Sequence, residues 1–283
     1  MKSIRTLPLL FIALFSSCQD VIELDLPDSE PLIVINGRIT DVDSVGITLT
    51  ATAPYFSQVA TPRIGGATIV LYENNDSVAT LIEDSLGYYS FPFQGIVGKI
   101  YHVRVVVPDG NPALEGGIWE SIPEELKRVP EIDSIFSRFV VDDAFQKDGW
   151  YPFFSFSDPP GLGDNYRLKV WLNDTAFDQA DQITTYSDEF WDGRSFNDVD
   201  LPSIQFTRSN RIRGTKCFIE QGSITLRHLN FLELLVTQTS RVGSTFDPPP
   251  APLLGNIKCI SNPNRTSLGY FNASAVRRKT LYL

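Results

Sequence analysis

The stretch "GGATIVLYENNDSVATLIEDSLGYYSFP" at residues 65–92 decides how the front of this chain folds. It holds three short runs rich in β-branched and aromatic residues, "ATIVLYE", "VATLIE" and "GYYSFP", separated by Asn-Asn-Asp and Ser-Leu-Gly. Such side chains suit a pleated, half-buried surface, and Asn, Asp and Gly suit turns, so the runs read as strands and the separators as turns. Gly87 has a specific duty: its turn needs a positive φ, which a residue without a Cβ adopts freely. The aromatic that follows is expected to point inward and close a sandwich.

The same signals continue on both sides. "LIVINGRI" and "VGITLTAT" come before and "IYHVRVVV" after. In the last run Val103, Val105 and Val107 share one face, while His102, Arg104 and Val106 share the other. Short strands at this spacing, with no helical pattern between them, predict a β-sandwich over residues 32–122. The pattern of Asp84, Gly87 and Tyr89 resembles the D-x-x-G-x-Y element of carboxypeptidase regulatory-like and transthyretin-like domains, which implies an immunoglobulin-like front half.

"SIPEELKRVPEIDS" at 121–134 carries two prolines and mixed charges, and a linker is expected at 123–133. A second β-rich domain is expected over 134–283, from "SIFSRFVV", "WYPFFSFSD", "NYRLKVWL", "IQFTR" and "GSITLRH". It holds one predicted helix, with Asn230 as cap, Glu233 at the third helical position and "FLELLVTQTS" as body. Three consecutive prolines in "FDPPPAPLLGN" exclude helix and central strand there.

The N-terminus reads differently. Lys2 and Arg5 precede an apolar run, Leu7–Phe15, and Ser16 and Ser17 follow it. Nine residues are too few to span a bilayer core, which takes about 20, so residues 1–17 read as a secretory signal. Phe15-Ser16-Ser17-Cys18 resembles a lipobox, with Phe15 where Leu is usual. Cys18 is therefore expected to be acylated and to begin the mature protein. Residues 18–31 alternate acids with Val21, Ile22, Leu24 and Leu26 and read as a tether leading away from the membrane.

Removal of the signal leaves 266 residues, and losing Lys2 and Arg5 takes the formal charge from −10 to −12. An excess of acid argues against nucleic acid as a partner, which demands clustered Lys and Arg, and against docking on anionic headgroups. Cys217 and Cys259 remain. An exported compartment permits oxidation, and one disulfide between them is expected, with two free buried thiols as the alternative. A metal site would need more His and Cys nearby.

No catalytic constellation is found. The histidines, His102 and His228, are 126 residues apart and read as satisfied or exposed strand residues. There is no H-E-x-x-H and no G-x-S-x-G. "DVDSVG" (41–46), "DDAFQKDG" (142–149) and "SDEFWDG" (187–193) are oxygen-rich and could hold calcium. In the first, however, the fifth position is Val45 and the bidentate acid would fall at Thr52, and solvated acidic turns are the favoured reading of all three. The aromatics of "YSDEFWDG" and "DGWYPFF" could stack on a sugar or peptide, or fill a core. No enzyme, cofactor or metal is expected.

The local signatures, taken in order, carry a second resemblance. They are Cys18 with "IELDLP", "PLIVING", "APYF", "GGATIVLY", Gly87 with Tyr89, "PEIDSI", "FSDPPG" with Asn165 and Tyr166, "SDEFWDGRSF", "LLGNI" and "LGYFNAS". Together they resemble the Bacteroidota lipoprotein family known as domain of unknown function 4249; the cysteine pair lies outside the pattern. The resemblance implies an outer-membrane lipoprotein associated with TonB-dependent transporters. Asp20, Glu23 and Asp25 look like the acids that send such lipoproteins to the cell surface. The expected role is a binding or accessory subunit of a TonB-dependent nutrient transporter, the alternative a structural adhesin or surface scaffold.

Overall fold

A computed structural model describes residues 30–53, 60–141, 148–173, 175–201, 205–206, 214–241, 247, 249 and 251–283. Within it Pro31–Leu283 forms one compact unit. The front strands are β1 (Ile33–Thr40), β2 (Val45–Ala51), β3 (Thr68–Glu73), β4 (Asp76–Thr80), β5 (Ile82–Ser85), β6 (Tyr88–Phe91), β7 (Ile100–Val107), β8 (Gly117–Ser121) and β9 (Glu124–Glu125). Then come β10 (Ile132–Val140), β11 (Gly149–Ser157), β12 (Asn165–Leu172), β13 (Thr175–Phe177), β14 (Thr184–Ser187), β15 (Ser195–Asp200) and β16 (Lys216–Ile224). Helix α1 (Leu226–Thr239) follows, and the chain ends in β17 (Ile257–Cys259), β18 (Ser267–Leu268), β19 (Phe271–Ser274) and β20 (Val276–Tyr282). The protein is mostly β, with several sheets and, among the described residues, no closed barrel.

The front is a two-sheet sandwich. One sheet runs β18-β1-β2-β6-β5, the other β17-β8-β7-β3-β4 with β9 beside β7. β2 and β7 bury every second residue, and Ile35, Ile47, Leu71, Val103, Val105 and Trp119 share one core. Gly87 adopts φ +71° as its turn requires. Tyr89 points inward, and its hydroxyl donates to the Ile64 carbonyl at 3.1 Å. The run "VATLIE" is not one strand: β4 and β5 lie in different sheets, and the chain crosses between them at buried Leu81.

The rear pairs a β10-β11-β15 sheet with a β13-β12-β16-β20 sheet, β14 lying beside β12. Phe154, Phe156, Leu168, Val170 and Ile219 fill the space between them.

The expected domain boundaries are crossed by the chain's own C-terminal part. β17 pairs with β8 (Cys259 opposite Trp119), and β18 and β19 run parallel to β1. Strands β1 and β8 would otherwise leave a row of backbone groups unpaired at each sheet edge, and the returning chain satisfies them. Its fit is set by two glycines: a Cβ on Gly255 would lie 1.6 Å from the Gly269 carbonyl oxygen, and one on Gly269, at φ +93°, 2.2 Å from that of Ile35. Buried Asn256 then accepts from the Phe271 backbone N–H at 2.9 Å and donates to its carbonyl at 2.7 Å.

Nor is 123–133 a free linker. Leu126, Val129 and Ile132 are buried, and Glu124 is only 1% exposed. The Glu124 carboxylate accepts from the Tyr270 hydroxyl at 2.7 Å, from Arg227 at 3.3 Å and from the Thr225 hydroxyl. Thr225 is also the true cap of α1, accepting the His228 N–H at 3.3 Å. The helix therefore starts well before Asn230, because β16 feeds straight into a capping threonine that Glu124 holds in place.

The Cys217–Cys259 disulfide is not formed. Both are free buried thiols, Cys217 in the rear core and Cys259 in the front one. Once the front sandwich recruits β17, Cys259 is carried to the edge strand beside Trp119, away from Cys217. Burial pushes the Cys217 thiol up to about 12.

Candidate functional site

The site begins with a strand that is polar on one face. In "NYRLKVWL" Leu168, Val170 and Leu172 face the rear core, which turns Arg167 and Lys169 to the opposite side. That side does not meet open water. β1 and β2 present Val34, Asn36, Arg38, Gly46 and Thr48 toward it, and α1 presents His228, Phe231, Leu232 and Leu235, the i, i+3, i+4, i+7 face of the helix. Leu253, Leu268 and Tyr270 complete a cleft of about 880 Å³, within the usual range for small-molecule sites.

The charges in it divide into two sets. Arg38 donates to Glu220 at 2.7 Å and to Asp43 at 3.1 Å. Arg278 donates to the same two carboxylates, at 2.7 Å and 2.8 Å. Two guanidiniums and two carboxylates form a closed, neutral ring. Burial opposes ionisation of Glu220 and Asp43, yet the arginines hold both below the usual carboxylate range.

Arg167 and Lys169 form the second set. Among the described residues neither has a hydrogen-bonded or ion-paired carboxylate, and Arg167 Nε is buried without a partner. Asp178 and Glu220 act on them only through space. Burial, then the fields of Arg167 and Arg38, bring the Lys169 ammonium down to about 8. Burial likewise lowers Arg167. His228, 4% exposed, stacks on Tyr270 at 4.4 Å, and its Nδ1 has no partner. Burial, helped by Arg167 and Lys169, lowers it to about 3, so it stays neutral. The side chains of Arg167 and Lys169 are both half-buried, and cations partly withdrawn from water without counterions cost free energy. Apolar side chains would fill the same space beneath the helix without that cost, so the charges answer to something besides packing.

A second cluster lies at the opposite face of β12. Asp158, Asp188 and Asp192 bring carboxylate oxygens within 4.8 Å of one another, and two of them come from "SDEFWDG". These groups are already engaged. Asp158 accepts from the Tyr166 hydroxyl at 2.7 Å and the Gly193 N–H at 3.0 Å; Asp188 accepts from Gly163 N–H, and Asp192 from Gly161 N–H at 2.6 Å. Lys127 and Arg128 donate to the carbonyls of the same loop. The cluster staples the "PPGLG" turn.

The other residues singled out by sequence are scattered. Cys18 lies outside the described residues, as does most of "DDAFQKDG". His102 sits on the outer face of β7, stacked on Tyr72 at 4.6 Å. His228 is in α1 rather than a strand. Phe190 and Trp191 are exposed, whereas Tyr151, Phe153 and Phe154 are buried. Arg167 and Lys169 were not singled out by sequence reasoning; their only signal was polar alternation in a strand otherwise rich in large apolar residues.

The family profile described as Domain of unknown function (DUF4249) matches residues 19–280. The chain belongs to that family. The match spans the two glycine motifs "LLGNI" and "LGYFNAS", whose backbones meet at Gly255 and Gly269, and both walls of the cleft. No curated protein matches the chain.

Proposed function

We propose that this DUF4249 protein is an outer-membrane lipoprotein that acts by binding, capturing a solute in the β1–β12–α1 cleft as accessory subunit of a TonB-dependent nutrient transporter. The observation that carries the binding role is the pair Arg167 and Lys169, held in a cleft of ligand size without a carboxylate partner. The anchoring reading rests on the position of Cys18 directly after the apolar run and two serines. The transporter rests on the family resemblance, and the acids behind Cys18 support a place on the cell surface. A lipid anchor in the partner's membrane raises effective concentration, so a modest interface suffices.

The test is to tag the native copy, extract it gently and identify what co-purifies. The expected result is an outer-membrane barrel, with nutrient uptake impaired in a deletion strain. Recovery without a barrel, together with unimpaired uptake, would favour the adhesin or scaffold reading. Replacing Cys18 with Ala is expected to abolish fatty-acid labelling; unchanged labelling and membrane fractionation would remove the anchor from the proposal.

A further inference from the structure

The ring of Arg38, Arg278, Glu220 and Asp43 is neutral, and His228 is neutral by burial, so the net charge of the cleft is set by Arg167, Lys169 and Asp178. Two cations against one carboxylate leave a single positive charge. That matches a monoanion and leaves a dianion such as phosphate half uncompensated. The two cations are two positions apart on one strand face, about 6.6 Å along the backbone, and an arginine fork beside a lysine suits a carboxylate. Opposite them the cleft turns apolar: Phe231, Leu232 and Leu235 from α1, with Leu253 and Leu268. The cations therefore sit at one side of a surface made for hydrocarbon.

We propose that the cleft takes an amphipathic monocarboxylate, its carboxylate held by Arg167 and Lys169 and its apolar chain laid along the Phe231–Leu232–Leu235 face of α1. This deepens the binding role proposed above and rests on it. The carboxylate supplies the counterion the two cations lack, and the chain covers half-buried Phe231 and Leu235. Asp178 opposes the ligand electrostatically, which favours weak, releasable capture over permanent occupancy. Two sources share this chemistry, a fatty acid and the C-terminus of an apolar peptide.

Isothermal titration of the full chain with octanoate and with N-acetyl-Leu-Leu, each against its neutral amide, tests the proposal. At least one carboxylate is expected to bind, about tenfold or more tighter than its amide, and the tighter of the two identifies the source. Arg167→Met combined with Lys169→Met is expected to remove that preference while the protein stays folded. Leu235→Asp, on the apolar wall, is expected to weaken the carboxylate as well. Amides binding as tightly as acids, inorganic phosphate displacing octanoate at equal concentration, or the double variant binding unchanged would each overturn it. A barrel that still co-purifies in that case leaves the accessory role standing with a different cargo. Carboxylate binding without a barrel keeps this site and removes the transporter.

Discussion

The front sandwich and the rear sheets use the same kind of strand to different ends. β2 and β7 in front alternate strictly, buried then half-exposed: one face of each packs inside the sandwich, while the outer face of β7 stays half-exposed and that of β2 lines the cleft. In the rear, β16 is buried on both faces from Ile219 to Ile224. One face packs on the rear core, and the other, with Glu220 and Gly222, lies under the front sandwich beside Arg167 and Lys169 of β12. Covering a polar sheet face does not make it apolar. It leaves charges to be settled by neighbours, and here they settle Glu220 fully and the two cations only in part. The cleft exists because a sheet face patterned for water is roofed by β1, β2 and α1.

The largest effect expected to test this comparison is in the front core. Ile47→Ala removes a fully buried side chain and is expected to cost about 4 kcal/mol. Because β17, β18 and β19 complete the front sheets while β20 stays in the rear, both halves are expected to unfold in one denaturant transition. Rear signals that persist after the front has melted would restore two independent domains.

Next is the junction itself. Gly269→Ala forces a Cβ into the Ile35 carbonyl at a positive φ and is expected to cost about 3 kcal/mol. Full stability in that variant would mean that the return of the chain to β1 is not tightly fitted.

The cleft is expected to respond with the opposite sign. The folded-state pKa of Lys169, about 8, lies below that of the unfolded chain, about 10.4. Between these values the unfolded state binds more protons, so stability contributed at this position rises with pH through that window. Lys169→Met is expected to flatten this rise and to add about 1–2 kcal/mol at pH 7. Carboxylate affinity is expected to fall above pH 8 as Lys169 loses its charge. The groups facing it are Arg167 on its own strand, Arg38, Glu220 and Asp178, with His228 from α1 and Asp43 and Tyr88 from the front sheet. A stability loss in Lys169→Met at pH 7 would show that the ammonium has a partner after all.

The smallest effect concerns the cysteines. Reductant is expected to leave the melting temperature unchanged, and native Cys217 to resist thiol reagents until the protein unfolds.

The sequence by itself determined the local features. Strand alternation put Val103, Val105 and Val107 on one face, and the positive φ of Gly87 and the inward aromatic after it follow from the sequence because those depend on neighbours within a few residues. Tertiary structure decided everything that depends on which edge a strand finds. Cys259 lies beside Trp119 and not Cys217, Glu124 is the hub of a buried network and not part of a linker, and Thr225 caps α1 because Glu124 holds it. Arg167 and Lys169 read as an ordinary solvent face in "NYRLKVWL", since a period of two shows which residues share a face and never what covers it. Their half-burial without a carboxylate partner follows from the roof of β1, β2 and α1, brought there by contacts more than a hundred residues apart in sequence.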